Sequence, residues 1–156
     1  MKLAALCCTF RRPHTLGQIV ESFLRQDYPA ELREQLLRLS VLDRFCADLV
    51  ANVLELDSPA EGRALISRMR EENLFVIELD LQDEWFRFHH LLQQLMSETF
   101  ESEADPEELM ALQSRASAWF ECHGHIREAI DYALRAKDME AAADIFERYR
   151  ACGLDS

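Results

Sequence analysis

The chain has 156 residues, 49% of them hydrophobic, and a formal net charge of −12 at pH 7. A chain of this length and composition can bury a core, which excludes a disordered protein. The acidic balance argues against nonspecific binding to nucleic acid or to anionic membranes, because phosphate contacts require an excess of Lys and Arg.

Residues 1–29 predict one strand and one helix. An apolar run at residues 3–9 has the length of a buried strand, and a helical pattern begins at Thr15 and stops at Pro29. With its motifs CTFRRP and SFLRQDYP, this segment resembles the start of family 2 glycosyltransferases. The resemblance implies a nucleotide-sugar site with paired aspartates and an Asp-x-Asp metal motif, but no Asp-x-Asp follows. We keep a glycosyltransferase remnant as an alternative interpretation.

Three short helices are predicted next, over residues 31–39, 46–56 and 59–72. We expect Ser40 or Asp43 to cap the second of them, because both residue types bind exposed backbone N–H groups at helix starts. The apolar residues at helical spacing, which we expect to face the core, are Leu32, Leu36, Leu39, Leu49, Val50, Val53, Leu54, Leu65, Ile66 and Met69.

The only stretch with the pattern of a sheet is residues 73–92. Residues 74–77 and 85–88 are prone to form strands and flank a polar turn at 80–84, so they predict a hairpin. A helix follows directly and ends near Phe100. The residues expected on its inner face are Leu91, Leu92, Leu95, Met96 and Thr99, and the aromatic residues expected in the core are Trp85, Phe86 and Phe88. Three helices and a hairpin in this order predict a winged helix.

The C-terminal part is predicted to be helical again, over residues 106–122, 126–136 and 139–149. Asp105 and Pro106 are a typical helix start, and Gly124 is the expected left-handed stop. Small residues at the contact positions are typical of helical-repeat arrays; they are Ala129, Ala133, Ala136, Ala142 and Ala143.

These signals predict a mostly α-helical protein, a winged helix followed by antiparallel, TPR-like helices. The predicted divisions are an N-terminal segment of uncertain origin at 1–29, the winged helix at 30–100, an acidic linker at 101–105 and the helical-repeat segment at 106–156.

Five motifs follow one another from about residue 29 to residue 146. They are LLRLSVLDRF (36–45), ENLF (72–75), WFRFHHLL (85–92), ASAWF (116–120) and EAIDYAL (128–134). In this order they resemble the MalT-like family of ATP-dependent LuxR-type transcriptional regulators. In that family this region joins a nucleotide-binding switch module to an effector-sensing superhelix. The resemblance implies a non-catalytic module that couples nucleotide state to effector sensing.

The sequence has no Gly-x-x-x-x-Gly-Lys-Ser/Thr loop, so ATP or ADP is expected only on a separate nucleotide-binding module. No DNA-reading helix-turn-helix is predicted after Tyr149. We expect the middle part of a larger regulator, whose partners are flanking domains or another protein, and apolar surface exposed near Tyr149. Cys7, Cys8 and His14 have no orienting group, so we predict no enzyme.

His89 and His90 are the candidates for nucleotide sensing. By resemblance, a winged-helix histidine contacts the ADP phosphate and locks the resting state, and a helix start suits an anion. The alternative is that one histidine packs under the hairpin and the other faces water.

Arginines of the third helix occupy the positions where a DNA-reading winged helix makes groove contacts. These DNA-binding candidates are Arg63, Arg68 and Arg70, and three glutamates flank them. Alternating charges are typical of a solvated helix face, so DNA binding remains an alternative interpretation.

The cysteines predict neither a disulfide framework nor a metal site. They are five in number, and their spacings do not match paired zinc ligands. Cys122, His123 and His125 lie close in sequence without such spacing. Reduced thiols, and the lack of an apolar run of membrane-spanning length, predict a cytoplasmic protein.

Overall fold

The computed structural model describes residues 17–152 apart from 19, 22–24, 26 and 83. The glycosyltransferase-like segment, residues 1–29, and the group Cys7, Cys8 and His14 fall largely or wholly outside these residues. The helices and strands are, in chain order, α1 (Ala30–Leu39), α2 (Ala47–Val53), α3 (Pro59–Glu71), β1 (Val76–Glu78), β2 (Phe86–Phe88), α4 (His90–Glu103), α5 (Pro106–Cys122), α6 (Ile126–Arg135) and α7 (Met139–Ala151). The predicted fold class, a winged helix followed by further helices, is confirmed.

The loop between α1 and α2 corrects one prediction. Neither Ser40 nor Asp43 caps α2, whose N-cap is Cys46. Ser40 instead ends α1, where its buried hydroxyl donates to the carbonyl oxygen of Leu37. Asp43 points to the C-terminal helices, as described below. The residues 40–46 that join α1 to α2 are called the connecting loop from here on.

Helices α2 and α3 pack with their backbones close together. Gly62, buried on α3, makes this possible: a Cβ atom at this position would lie 2.1 Å from the carbonyl oxygen of Ala47. Leu65, Ile66 and Met69 of α3 are buried, as the helical spacing predicts.

The hairpin, called the wing, is an antiparallel pair in which Val76 lies opposite Phe88 and Glu78 opposite Phe86. Phe45 of the connecting loop adds an isolated bridge to Phe86, with two backbone N–O distances of 2.8 Å. β1 begins two residues later than predicted. Asn73 and Phe75 adopt positive φ angles of 54° and 49°, so the chain turns before it extends.

Helix α4 differs from its prediction in the face that is buried and in the residue at which the helix ends. Leu91 is 49% exposed, so its expected place in the core is wrong. The buried stripe is Leu92, Met96 and Phe100, at intervals of four residues, and Leu91 lies about 100° away from it around the helix. The helix also continues to Glu103, through most of the stretch predicted as a linker.

Helices α5 to α7, called the arm, share one apolar core with the winged helix. This core runs from Leu32 of α1 to Ile145 of α7 and includes residues of every helix between them. Ala129, Ala133, Ala136 and Ala142 are buried at the contacts between arm helices, whereas Ala143 is exposed. The division of the chain at residues 101–105 stays a prediction. Within the described residues, no helix has the length and apolar character needed to cross a bilayer.

Candidate regulatory interface

The base of the wing is joined to the arm through Trp85. This half-buried side chain immediately precedes β2, and its ring meets three rings of the arm. The distance from the centroid of the Trp85 ring to the centroid of the partner ring is 6.0 Å for Trp119, 6.4 Å for Phe120 and 5.6 Å for His125. Phe86 and Phe88, in contrast, are buried within the winged helix. The rings of Phe86 and Phe88 lie against Phe45 of the connecting loop, whereas the ring of Trp85 lies against rings of the arm.

Arg44 of the connecting loop contacts both Trp85 and the arm. Its guanidinium carbon lies 4.2 Å from the centroid of the Trp85 ring, a cation–π arrangement. Its Nη2 donates to Glu128 Oε1 at 2.6 Å and lies 3.4 Å from His125 Nδ1. Burial alone would raise the pKa of Glu128, but a backbone N–H at the start of α6 and Arg44 together lower it. The carboxylate is thereby kept charged opposite Arg44.

Asp43, next to Arg44, forms a second contact with the arm. Its backbone N–H donates to the hydroxyl of Tyr132 at 2.8 Å, and its carboxylate accepts from Arg135 Nη2 at 2.6 Å. Tyr132 is 1% exposed. Burial first, and then the carboxylate of Asp43, raise the pKa of this phenol above its usual range. Two consecutive loop residues thus bind two turns of α6.

A third contact joins α2 to the end of α5. The indole N–H of Trp119 donates to Asp48 Oδ2 at 2.7 Å, and the ring of His123 stacks on Trp119 with a centroid distance of 3.8 Å. His123 Nε2 lies 3.4 Å from the same Asp48 oxygen. Cys122 is exposed. Among the residues that the structure describes, no three His, Cys, Asp or Glu side chains converge as a metal site would require.

His89 and His90 lie together where β2 meets α4. Their rings are stacked with centroids 4.6 Å apart. His89 is the N-cap of α4: its Nδ1 accepts from the backbone N–H of Leu91 at 3.3 Å, and its own N–H donates to the carbonyl of Phe75 at 3.0 Å. Because Nδ1 accepts this bond, Nε2 is the ring nitrogen that can donate to a ligand. His90 is exposed and His89 is half-buried. A nucleotide contact of either residue stays a prediction.

The arginines of α3 have different surroundings. Arg63 and Arg68 are exposed. Arg70 forms an ion pair with Glu78 of β1, and its guanidinium carbon lies 5.6 Å from the centroid of the Phe86 ring. Arg70 thus attaches the wing to α3. DNA contact by these three residues remains a sequence-based alternative.

The contacts of the connecting loop were not found from sequence. Arg44 and Glu128 are 84 residues apart, and Asp43 and Arg135 are 92 apart, so no local pattern pairs them. The signal that could have found them is their place in the motifs LLRLSVLDRF and EAIDYAL, which include the charged or hydroxyl-bearing partners Asp43, Arg44, Glu128 and Tyr132.

The fold and these contacts define a class of protein, a winged helix bound to a helical arm by ring, ion-pair and hydrogen-bond contacts. Residues 20–109, more than half of the chain, match the family model described as the MalT winged helix domain. The chain belongs to this family, and the predicted likeness to MalT-like transcriptional regulators is confirmed. The match begins within the segment predicted to be glycosyltransferase-like, a resemblance that these comparisons do not support.

The chain is similar to proteins of two descriptions. A serine/threonine-protein kinase, PknK of Mycobacterium tuberculosis (strain ATCC 25618 / H37Rv), is 34% identical over 136 residues, which are 85% of this chain and 12% of that protein. The HTH-type transcriptional regulator MalT of Vibrio cholerae is 29% identical over 76% of this chain and 13% of its own length. MalT of Serratia proteamaculans is 33% identical over 74% and 12%. The chain thus spans a small fraction of the curated relatives it matches.

Proposed function

We propose that this chain is a non-catalytic module that couples the nucleotide state of a MalT-like regulator to effector sensing in the cytoplasm. The observation that carries the proposal is the insertion of Trp85 among Trp119, Phe120 and His125. Through this contact, a displacement of the wing moves the side chains of the arm that pack against Trp85.

Strand β2 connects the histidine pair to this contact. Trp85 and His89 stand at the two ends of β2, four residues apart on extended backbone, which is about 13 Å. A strand in a sheet moves as a unit, because its backbone hydrogen bonds fix it to its neighbours. A ligand that pulls on His89 therefore displaces Trp85 as well.

The ligand at the histidines is the phosphate of a nucleotide held on a separate module. His89 Nε2–H is a donor, and the start of the 14-residue helix α4 adds partial positive charge. The sequence offers no P-loop of its own. ADP on the separate module would be held by this contact, and its loss would release the wing.

The absence of catalysis in this module is supported by the two kinds of relative. The matched part is shared by a protein described as a kinase and by proteins described as transcriptional regulators. A part common to both favours a role other than kinase chemistry.

The effector side of the coupling is assigned to the arm. Large apolar side chains are exposed on α6 and α7: Leu134 at 43%, Met139 at 68% and Phe146 at 54%. Exposed apolar surface of this kind is covered when the next helix pair of an array stacks on it. Flanking domains of the same regulator, or a protein partner, would supply that pair.

The test uses the longer regulator, loaded with a fluorescent ADP, with its release rate measured with and without effector. His89→Ala or His90→Ala should release ADP at least about tenfold faster, as expected for loss of a charge-assisted contact. Gln94→Ala, an exposed change on the same helix, is the control. Arg44→Ala should keep basal release unchanged and weaken the effect of the effector. Wild-type release rates in both histidine variants would refute the proposal.

A further inference from the structure

We infer that Gln93 is a positioning residue that ties the first turn of α4, which carries the histidine pair, to the connecting loop that binds the arm. The inference rests on the proposed function and adds a second connection beside β2. It concerns a side chain that no sequence pattern singled out.

Gln93 bridges two carbonyl groups of the connecting loop. Its Nε2 donates to the carbonyl oxygen of Leu42 at 2.8 Å and to that of Ser40 at 3.2 Å. Because both partners can only accept, the orientation of the amide is fixed, with nitrogen toward the loop. Leu42 is fully buried and Ser40 nearly so. Buried carbonyls need a donor, so Gln93 stabilises the shape of this loop.

The same loop makes the polar contacts to α6 described above. Directly after Leu42, the backbone N–H of Asp43 donates to Tyr132, and Arg44 follows with Glu128 and Trp85. The loop therefore holds Gln93 through its carbonyls and the arm through the next two residues. A displacement of the carbonyls changes where Asp43 and Arg44 point.

Gln93 is also fixed to the histidines. Its backbone N–H donates to the carbonyl of His89 at 2.9 Å, one helical turn away. A tilt of the first turn of α4 consequently carries Gln93 with it, because backbone hydrogen bonds make the turn rigid. The geometry forms a continuous path: His89, Gln93, the connecting loop, and α6.

The first experiment measures amide hydrogen exchange on the chain itself and compares Gln93→Glu with Gln94→Glu. The first substitution keeps the shape but replaces a donor by an acceptor that faces two carbonyls. The second makes the same charge change at the exposed neighbouring residue. In Gln93→Glu, the amide of Asp43 should exchange at least about tenfold faster, while amides of α7 keep wild-type rates. Wild-type protection of Asp43 would overturn the inference.

The second experiment measures the release of fluorescent ADP from the longer regulator, with and without effector. Gln93→Glu should bind and release ADP at the basal rate of the wild type, but the effector should no longer change that rate. A merely structural residue would alter both or neither. Full effector response in Gln93→Glu would overturn the inference, even with faster exchange at Asp43. If the wild type itself shows no effector response, the proposed function fails, and the role of Gln93 is then judged by the exchange result alone.

Discussion

At the residue scale, Tyr132 is a buried hydroxyl whose role can be measured. Tyr132→Phe removes the acceptor for the Asp43 N–H and so deletes one part-buried hydrogen bond between the connecting loop and α6. Such a loss costs about 0.5–1.5 kcal/mol of the free energy of unfolding. Urea denaturation at pH 7 should show it, and Tyr149→Phe, on the last helix, should stay within about 0.5 kcal/mol of the wild type. Equal stability of the two variants would contradict the proposed contact.

The same phenol gives a pH dependence of known sign. Burial raises the pKa of Tyr132 above its usual range and that of Tyr28 to about 12. In the unfolded chain tyrosines lose their proton near pH ~10, so above that pH the folded state binds more protons and stability falls as pH rises. Tyr132→Phe removes one of these titrations. We expect its stability to fall less steeply than that of the wild type between pH 10 and 12, measured by urea denaturation.

Arg44 combines a ring contact with an ion pair that is about one-third exposed. Arg44→Ala should lower the free energy of unfolding by about 1–2 kcal/mol, from a cation–π term and a partly screened ion pair. Because Arg44 helps to lower the pKa of Glu128, its electrostatic contribution is present above the ordinary glutamate range and is lost as pH falls through the folded-state pKa. The stability gap between wild type and Arg44→Ala should therefore narrow on acidification. A gap that widens at low pH would contradict this assignment.

At the scale of elements, the contact between α2 and α3 depends on Gly62. In an exposed helix position, Gly→Ala usually raises stability by about 0.5–1 kcal/mol. Here the added Cβ meets a backbone oxygen at 2.1 Å, and backbone cannot move aside as a flexible side chain can. Gly62→Ala should instead lower the free energy of unfolding by about 1–3 kcal/mol. Thermal unfolding checks this, with Ser67→Ala on the exposed face of α3 as the control.

The elements differ in how far their sequences determine them. The bounds of α5 were predicted to the residue, because Asp105, Pro106 and Gly124 are local signals, and each acts as predicted: Asp105 accepts from the N–H of Glu107, and Gly124 has a φ of 80°. The start of β1 was not predicted, because Phe75 has a positive φ angle, which is rare for a bulky residue, and the apolar run that begins at Leu74 gives no local signal of this turn.

The candidate site divides in the same way. His89 and His90 are adjacent in sequence, so their common position at the start of α4 could be predicted. The partners of Arg44 are distant in sequence: Trp85 immediately precedes β2, His125 precedes α6 and Glu128 belongs to α6. Only the folded chain brings them together. Leu91 shows a further limit: its apolar character and spacing matched the core stripe, yet the helix is rotated so that it faces outward.

At the scale of the whole molecule, one continuous core predicts one cooperative unit across the boundary at residues 101–105. The chain has two tryptophans, and both of them, Trp85 and Trp119, lie in the contact between wing and arm. Their fluorescence therefore reports this contact, whereas far-UV circular dichroism reports all helices. In urea the two signals should change at the same midpoint.

A chain shortened to residues 30–105 also tests whether the winged helix and the arm unfold as one unit. Without the arm, Trp85 loses its ring contacts, and the core residues that face α5 become exposed to water. Each large apolar side chain that is uncovered costs about 1.5–3 kcal/mol, so several of them outweigh the marginal stability of a small domain. The shortened chain should unfold at a much lower urea concentration or show no cooperative transition. Two results would show that the winged helix and the arm are separate units. One is a shortened chain that unfolds with the midpoint of the whole chain, and the other is a change of tryptophan fluorescence before circular dichroism in the whole chain. A displacement at His89 would then be lost at their boundary before it reached α6.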